Sequence, residues 1–137
     1  MNPTHYLSLA EVIAIHESAM RHLGDEPKPL RDEGSLESAV MRPQMAAYYE
    51  GADSVRQAAL LGVGISQAQA FLDGNKRTAY LALNTFLRMN GLTYSGDRLA
   101  LARQFEQFAE RSHEPDEAID AFETWLREYV QSRPERE

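Results

Sequence analysis

Between Gln69 and Thr78 the chain reads Gln-Ala-Phe-Leu-Asp-Gly-Asn-Lys-Arg-Thr, and its chemistry is concentrated in Asp73 to Arg77. Gly74 allows a backbone turn that other residues resist. If Asp73 to Arg77 is a fixed turn feeding the N-terminus of a helix, free backbone N–H groups gather at that end. The helix dipole then favours an anion at that end. Two cations, Lys76 and Arg77, stand beside those amides and make phosphate the natural ligand. A plainer reading also fits: a polar loop that caps a helix and carries two solvated basic side chains. Composition leaves both readings open.

The flanks decide how firmly such a loop is held. Before it, Val55 to Ala68 carries Ala58, Ala59, Leu60, Leu61, Val63 and Ile65; after it, Ala79 to Met89 carries Tyr80, Leu81, Leu83, Phe86 and Leu87. Both runs are apolar nearly all round, the mark of buried helices. Helices are therefore expected over Val55 to Ala68 and Arg77 to Asn90. Gly62 and Gly64 would weaken an isolated helix by about 1 kcal/mol each, so they predict a close crossing by a neighbour.

The stretch resembles the signature loop of the Fic/Doc family. Its death-on-curing branch reads His-x-Phe-x-Asp-(Gly or Ala)-Asn-Lys-Arg-Thr. This chain has Phe71, Asp73, Gly74, Asn75, Lys76, Arg77 and Thr78 at the matching places. The likeness extends to Leu9–Glu17, Leu30–Pro43 and Phe86–Gly91, covering roughly the first two-thirds of the chain in family order. One position departs: Gln69 stands where the family carries its catalytic His.

What the resemblance implies can be set out residue by residue. Asp73 becomes the carboxylate that holds Mg²⁺. Gly74, Asn75 and Lys76 become the N–H cradle for the phosphates of ATP, Arg77 the phosphate clamp, and Phe71 a buried anchor. Lys76, where AMP-transferases of the family usually have Gly, resembles the branch that passes a phosphate to a hydroxyl of a translation factor. A small antitoxin would neutralise such a toxin. Gln69 cannot act as a base near neutral pH, and general-base catalysis is typically worth about 10²–10⁴-fold. Three readings of it stand: a natural pseudoenzyme, a substitute base such as His16, or a replacement that disables a harmful toxin. The alternative to a transferase is a catalytically inactive nucleotide- or partner-binding module.

Charge and composition narrow the partners. A formal charge of −7 argues against non-specific binding to nucleic acid or membrane surfaces, which needs a basic field. No basic recognition helix for DNA is visible. With no cysteine, disulfides and thiolate metal sites are excluded. No apolar run approaches the ~20 residues that span a bilayer, and the N-terminus does not read as a signal peptide. The expectation is a cytoplasmic protein.

The remaining elements follow from local signals. Ser8 and Glu11 form a capping box, and Leu9, Val12, Ile13, His16, Met20 and Leu23 recur at helical spacing until Gly24. His16 lies on the apolar stripe, either as a hydrogen-bonded core residue or as an orienting group near the loop. Asp25 to Gly34 reads as loop, and Arg31 to Gly34 either as a solvated turn or, by resemblance, as part of the cleft. A short helix from Ser35 to Met41 is predicted to stop ahead of Pro43. Gln44 to Gly51, with Met45, Tyr48 and Tyr49, is then either a flap that pairs with an extended peptide or ordinary aromatic packing. Gly91 ends a helix, Leu92-Thr93-Tyr94 is extended, and Asp97 starts a helix that buries Leu101, Phe105 and Phe108. Pro115 opens the last helix, with Ile119, Phe122, Leu126 and Tyr129 inward. Residues 131–137 are expected to fray. The sum is one all-α domain, 1–137, of about six helices.

Overall fold

One helix is buried on almost every side, and the others are arranged around it. In the computed structural model, which describes residues 3–134, this is α3 (Ser54–Ala68), with Val55 and every residue from Gln57 to Ser66 buried. It packs against α2 (Glu33–Glu50), α4 (Asn75–Met89), α5 (Arg98–Glu110) and α6 (Pro115–Arg127); α1 (Leu9–His22) lies against α4 and α2. Two short strands, separated in the chain by α5 and α6, pair with each other: β1 (Leu92–Tyr94) runs antiparallel to β2 (Val130–Ser132), with Thr93 opposite Gln131. The all-α bundle of six helices expected from the sequence is present.

The helix starts follow their capping residues. Ser8 and Glu11 exchange both bonds of a capping box. Asp32, Asp53 and Asp97 each accept an amide of the first turn of α2, α3 and α5. Asp53 also takes a two-pronged bond from Arg127 at 2.9 and 3.1 Å, which ties the start of α3 to the end of α6 and holds the Asp53 carboxyl below the usual carboxylate range.

Four expectations are corrected. The helix that begins near Ser35 does not stop before Pro43; α2 continues to Glu50, with Pro43 inside it and Gly51 in the left-handed conformation as its cap. Leu36, Ala39, Val40, Pro43 and Ala46 are all buried, so packing against α3 outweighs the helix-breaking cost of proline, about 3 kcal/mol. Met45, Tyr48 and Tyr49 therefore sit on a helix, 48%, 80% and 72% exposed. No extended flap exists there to pair with a peptide. Likewise Gln131 and Ser132 belong to β2, and the Arg133 amide donates to Gly91 O at 2.8 Å. Residues 135–137 of the expected frayed tail lie outside the described residues. Tyr129 is not inward but 38% exposed, against the Trp125 ring.

The two glycines of α3 mark the close crossings. A Cβ at Gly62 would come within 2.8 Å of Leu83 Cδ1 and 3.1 Å of the Phe105 ring, and one at Gly64 within 3.2 Å of Ala39 Cβ. Leu83 and Phe105 are themselves fully packed. Gly62→Ala is expected to destabilise the protein by about 1–3 kcal/mol, although alanine is the better helix former. Thermal denaturation checks it; a variant at least as stable as the parent contradicts the packing.

Candidate functional site: the loop between α3 and α4

The stretch singled out in the sequence connects the two most buried helices. Gln69 closes α3 in a left-handed conformation, φ 50° and ψ 38°, the one non-glycine residue with positive φ among those described. Ala70 and Phe71 then drop into the core. Asp73 and Gly74 turn outward again, and α4 begins at Asn75, not at Arg77.

Three sets of contacts fix this path. The segment ahead of α2 lies alongside: Leu30 bridges to Phe71, and the amides of Arg31 and Asp32 both donate to Ala70 O, at 2.6 and 3.1 Å. The Arg31 guanidinium donates to Gln69 O at 2.7 Å. Asn75 reaches back over the loop, its Oδ1 accepting the Phe71 N–H at 3.1 Å and its Nδ2 donating to Phe71 O at 2.8 Å. Underneath, the buried His16 of α1 stacks on Phe71, with ring centroids 3.7 Å apart and planes 8° from parallel. His16 Nε2 lies 2.8 Å from Asp73 O. His16 is a buried core residue, and the same contacts set it directly against the loop, so both readings of it stand.

What remains open to a ligand is the start of α4. Gly74, at φ +82°, is its N-cap and offers no side chain, so no side-chain cap is made. The first backbone bond of the helix is Thr78 N–H to Gly74 O at 2.9 Å. The amides of Asn75, Lys76 and Arg77 precede that bond, and the helix dipole favours an anion beside them. Asp73 is exposed at the rim, where its Oδ1 accepts the Gly74 N–H at 2.8 Å. A Cβ on Gly74 would come within 2.8 Å of Met20 Sδ, so glycine serves here for conformation and for closeness to α1.

The side-chain cations do not converge. Lys76 reaches toward α5 and pairs with Glu106 at 3.1 Å. Arg77 turns the other way, into a groove of about 590 Å³ between α1 and α4, with Ile15, Ser18, His22, Leu81 and Thr85 around it. Neighbours on a helix point about 100° apart, which accounts for the divergence. Arg77 makes no ion pair among the described residues, and its Nε is buried without a partner. Gln69 Nε2 donates to Ser66 O at 2.9 Å, so its amide lies back on the last turn of α3. Glu106 carried no signal in the sequence, since nothing local links α5 to the loop.

No group of three or more His, Asp or Glu converges among the described residues. Asp73 fits an ion that arrives with a phosphate ligand, because Mg²⁺ takes one or two carboxylates and fills its remaining positions with phosphate oxygens and water.

This loop and the segments that clamp it are also what other proteins share. Residues 6–87, from before α1 to near the end of α4, match the family model described as Fic/DOC family. The chain belongs to the Fic/DOC family. It is 39% identical over 98 residues to "Toxin Doc" of Mycolicibacterium smegmatis, a match covering 69% of this chain and 71% of that one. It is 34% identical over 88 residues to "Protein kinase doc" of Escherichia phage P1, covering 64% and 69%. The matched region holds the whole Fic/DOC loop together with Leu30 to Asp32 and His16. No helix of the described residues is long and apolar enough to cross a membrane.

Asn75 is the clip that holds both polar groups of Phe71. Asn75→Ala should lower stability by about 1–3 kcal/mol, since a buried backbone donor and acceptor lose their partners. Chemical denaturation measures the loss, and an unchanged midpoint would show that the clip is dispensable.

Proposed function

We propose that this chain is a Doc-like toxin whose loop binds ATP with Mg²⁺ for transfer of a phosphate to a hydroxyl of a protein target, such as a translation factor, and that Gln69 withholds the base. The observation that carries the reading is the start of α4: amides of residues 75 to 77 that no side chain caps, with the exposed Asp73 carboxylate at the same rim. In this reading the amides of Gly74, Asn75 and Lys76 cradle phosphate oxygens, the Gly74 N–H once Asp73 Oδ1, which now accepts it, turns to the metal ion. Asp73 holds the metal ion, which neutralises charge on the transferring phosphate when bound. Arg77, a cation without a carboxylate partner among the described residues, supplies the clamp. Positioning and charge neutralisation are most of what phosphoryl transfer asks of a protein.

The missing part is proton removal. As the target oxygen bonds to phosphorus and the bond to the departing ADP breaks, the hydroxyl proton must go to a base. The Gln69 amide has no capacity for it, and its Nε2 is engaged with Ser66 O. Phosphate transfer outranks AMP transfer in this reading because Lys76 stands where AMP-transferases keep glycine. A small antitoxin and a cytoplasmic location complete it.

Restoring the imidazole tests the reading. Gln69→His is expected to arrest growth when expressed and to transfer labelled phosphate from ATP to a cellular protein, about 10²–10⁴-fold faster than the parent. If neither arrest nor labelling appears, the chain is a binding module and the transferase reading fails. Arg77→Ala should weaken ATP–Mg²⁺ binding at least about tenfold by calorimetry, the scale of a lost charge-assisted hydrogen bond. Unchanged affinity removes Arg77 from the clamp.

A further inference from the structure

We infer that His16 is a positioning residue for the phosphate loop, setting which way the Asp73–Gly74 peptide faces. This rests on the reading of the loop as a phosphate site. The His16 ring touches the loop at Phe71 and Asp73 and closes off the space beside Gly74. Its face stacks on Phe71 with centroids 3.7 Å apart, its Nε2 lies 2.8 Å from Asp73 O, and its edge lies 3.4 Å from where a Cβ of Gly74 would sit. It is 1% exposed, so water does not compete for the bond. A carbonyl oxygen can only accept, so Nε2 carries the proton and His16 is the donor.

The direction of that bond has a chemical consequence. In a trans peptide the C=O and the following N–H point in opposite directions. With Asp73 O drawn inward to His16, the Gly74 N–H must point outward, and Asp73 Oδ1 meets it there at 2.8 Å. The next residue is a glycine at φ +82°, for which rotation of the preceding peptide meets little steric resistance. Without the Nε2 donor, this peptide is free to turn over. A carbonyl oxygen would then face the phosphate position, replacing an attractive dipole with a repulsive one. Stacking on Phe71 needs only a flat ring; fixing the peptide needs the donor.

Two substitutions separate these contributions. His16→Phe keeps a ring against Phe71 and removes the donor, whereas His16→Gln gives up the ring and can place an N–H near the Nε2 position. In the full chain, His16→Phe should weaken ATP–Mg²⁺ binding about tenfold or more, the scale of one buried hydrogen bond. Amide exchange at residues 74 to 76 should rise alongside. His16→Gln should keep both properties close to the parent even where its melting temperature falls. Affinity and exchange that follow melting temperature equally in both variants would reduce His16 to a core residue. Should His16→Phe not fold, loss of protection in folded His16→Gln overturns the inference and retained protection upholds it. If the parent binds no nucleotide, the function proposed above fails. Exchange at residues 74 to 76 still decides the role of His16: faster in His16→Phe than in the parent upholds it, and unchanged overturns it.

Discussion

A polar backbone running between two buried helices has to find partners for its N–H and C=O groups, and that requirement shapes everything around residues 69 to 75. The groups that dip into the core are answered from three directions: by the chain ahead of α2 at Ala70, by Asn75 at Phe71, and by His16 at Asp73. The start of α4 is the exception. Its amides are left without a side-chain cap, on residues that are exposed or half-buried. Burying an unanswered donor costs about 1–3 kcal/mol, so an open helix start has to stay at the surface while the residues just before it stay in the core. The sharp turn at Asp73–Gly74 makes that transition.

Much of the scaffold could be read from residues one turn apart. The capping box at Ser8, Asp97 ahead of α5, Pro115 opening α6 and the nearly continuous apolar run of α3 are local signals, and each marks an element where it was expected. Gly62 and Gly64 foretold close approach correctly, although not which neighbours would come near. Pro43 misled because its effect on an isolated helix is local, while the burial of Leu36, Val40 and Ala46 against α3 is not. β2 was missed for a similar reason. Three residues pair only because Leu92 to Tyr94 lie beside them in space.

For the candidate site, the sequence located the loop between the two buried helices, yet it started α4 two residues late and misjudged the side chains. Lys76 and Arg77 look like one doubly basic spot when written in a line. On a helix they leave in different directions, one toward Glu106 and the other into the groove along α1. The support given by His16 and Arg31 comes from residues far away in the chain. Resemblance placed Arg31 near this region, but the role each side chain takes depends on the folded neighbourhood.

The bonds around position 69 separate the scaffold from the side chain found there. Arg31 holds the residue through its carbonyl oxygen, the next residue is held through Ala70 O, and the Gln69 amide touches only the turn of α3 behind it. None of these backbone bonds is made through that side chain. A different side chain at position 69 would therefore leave the backbone bonds that hold this turn in place.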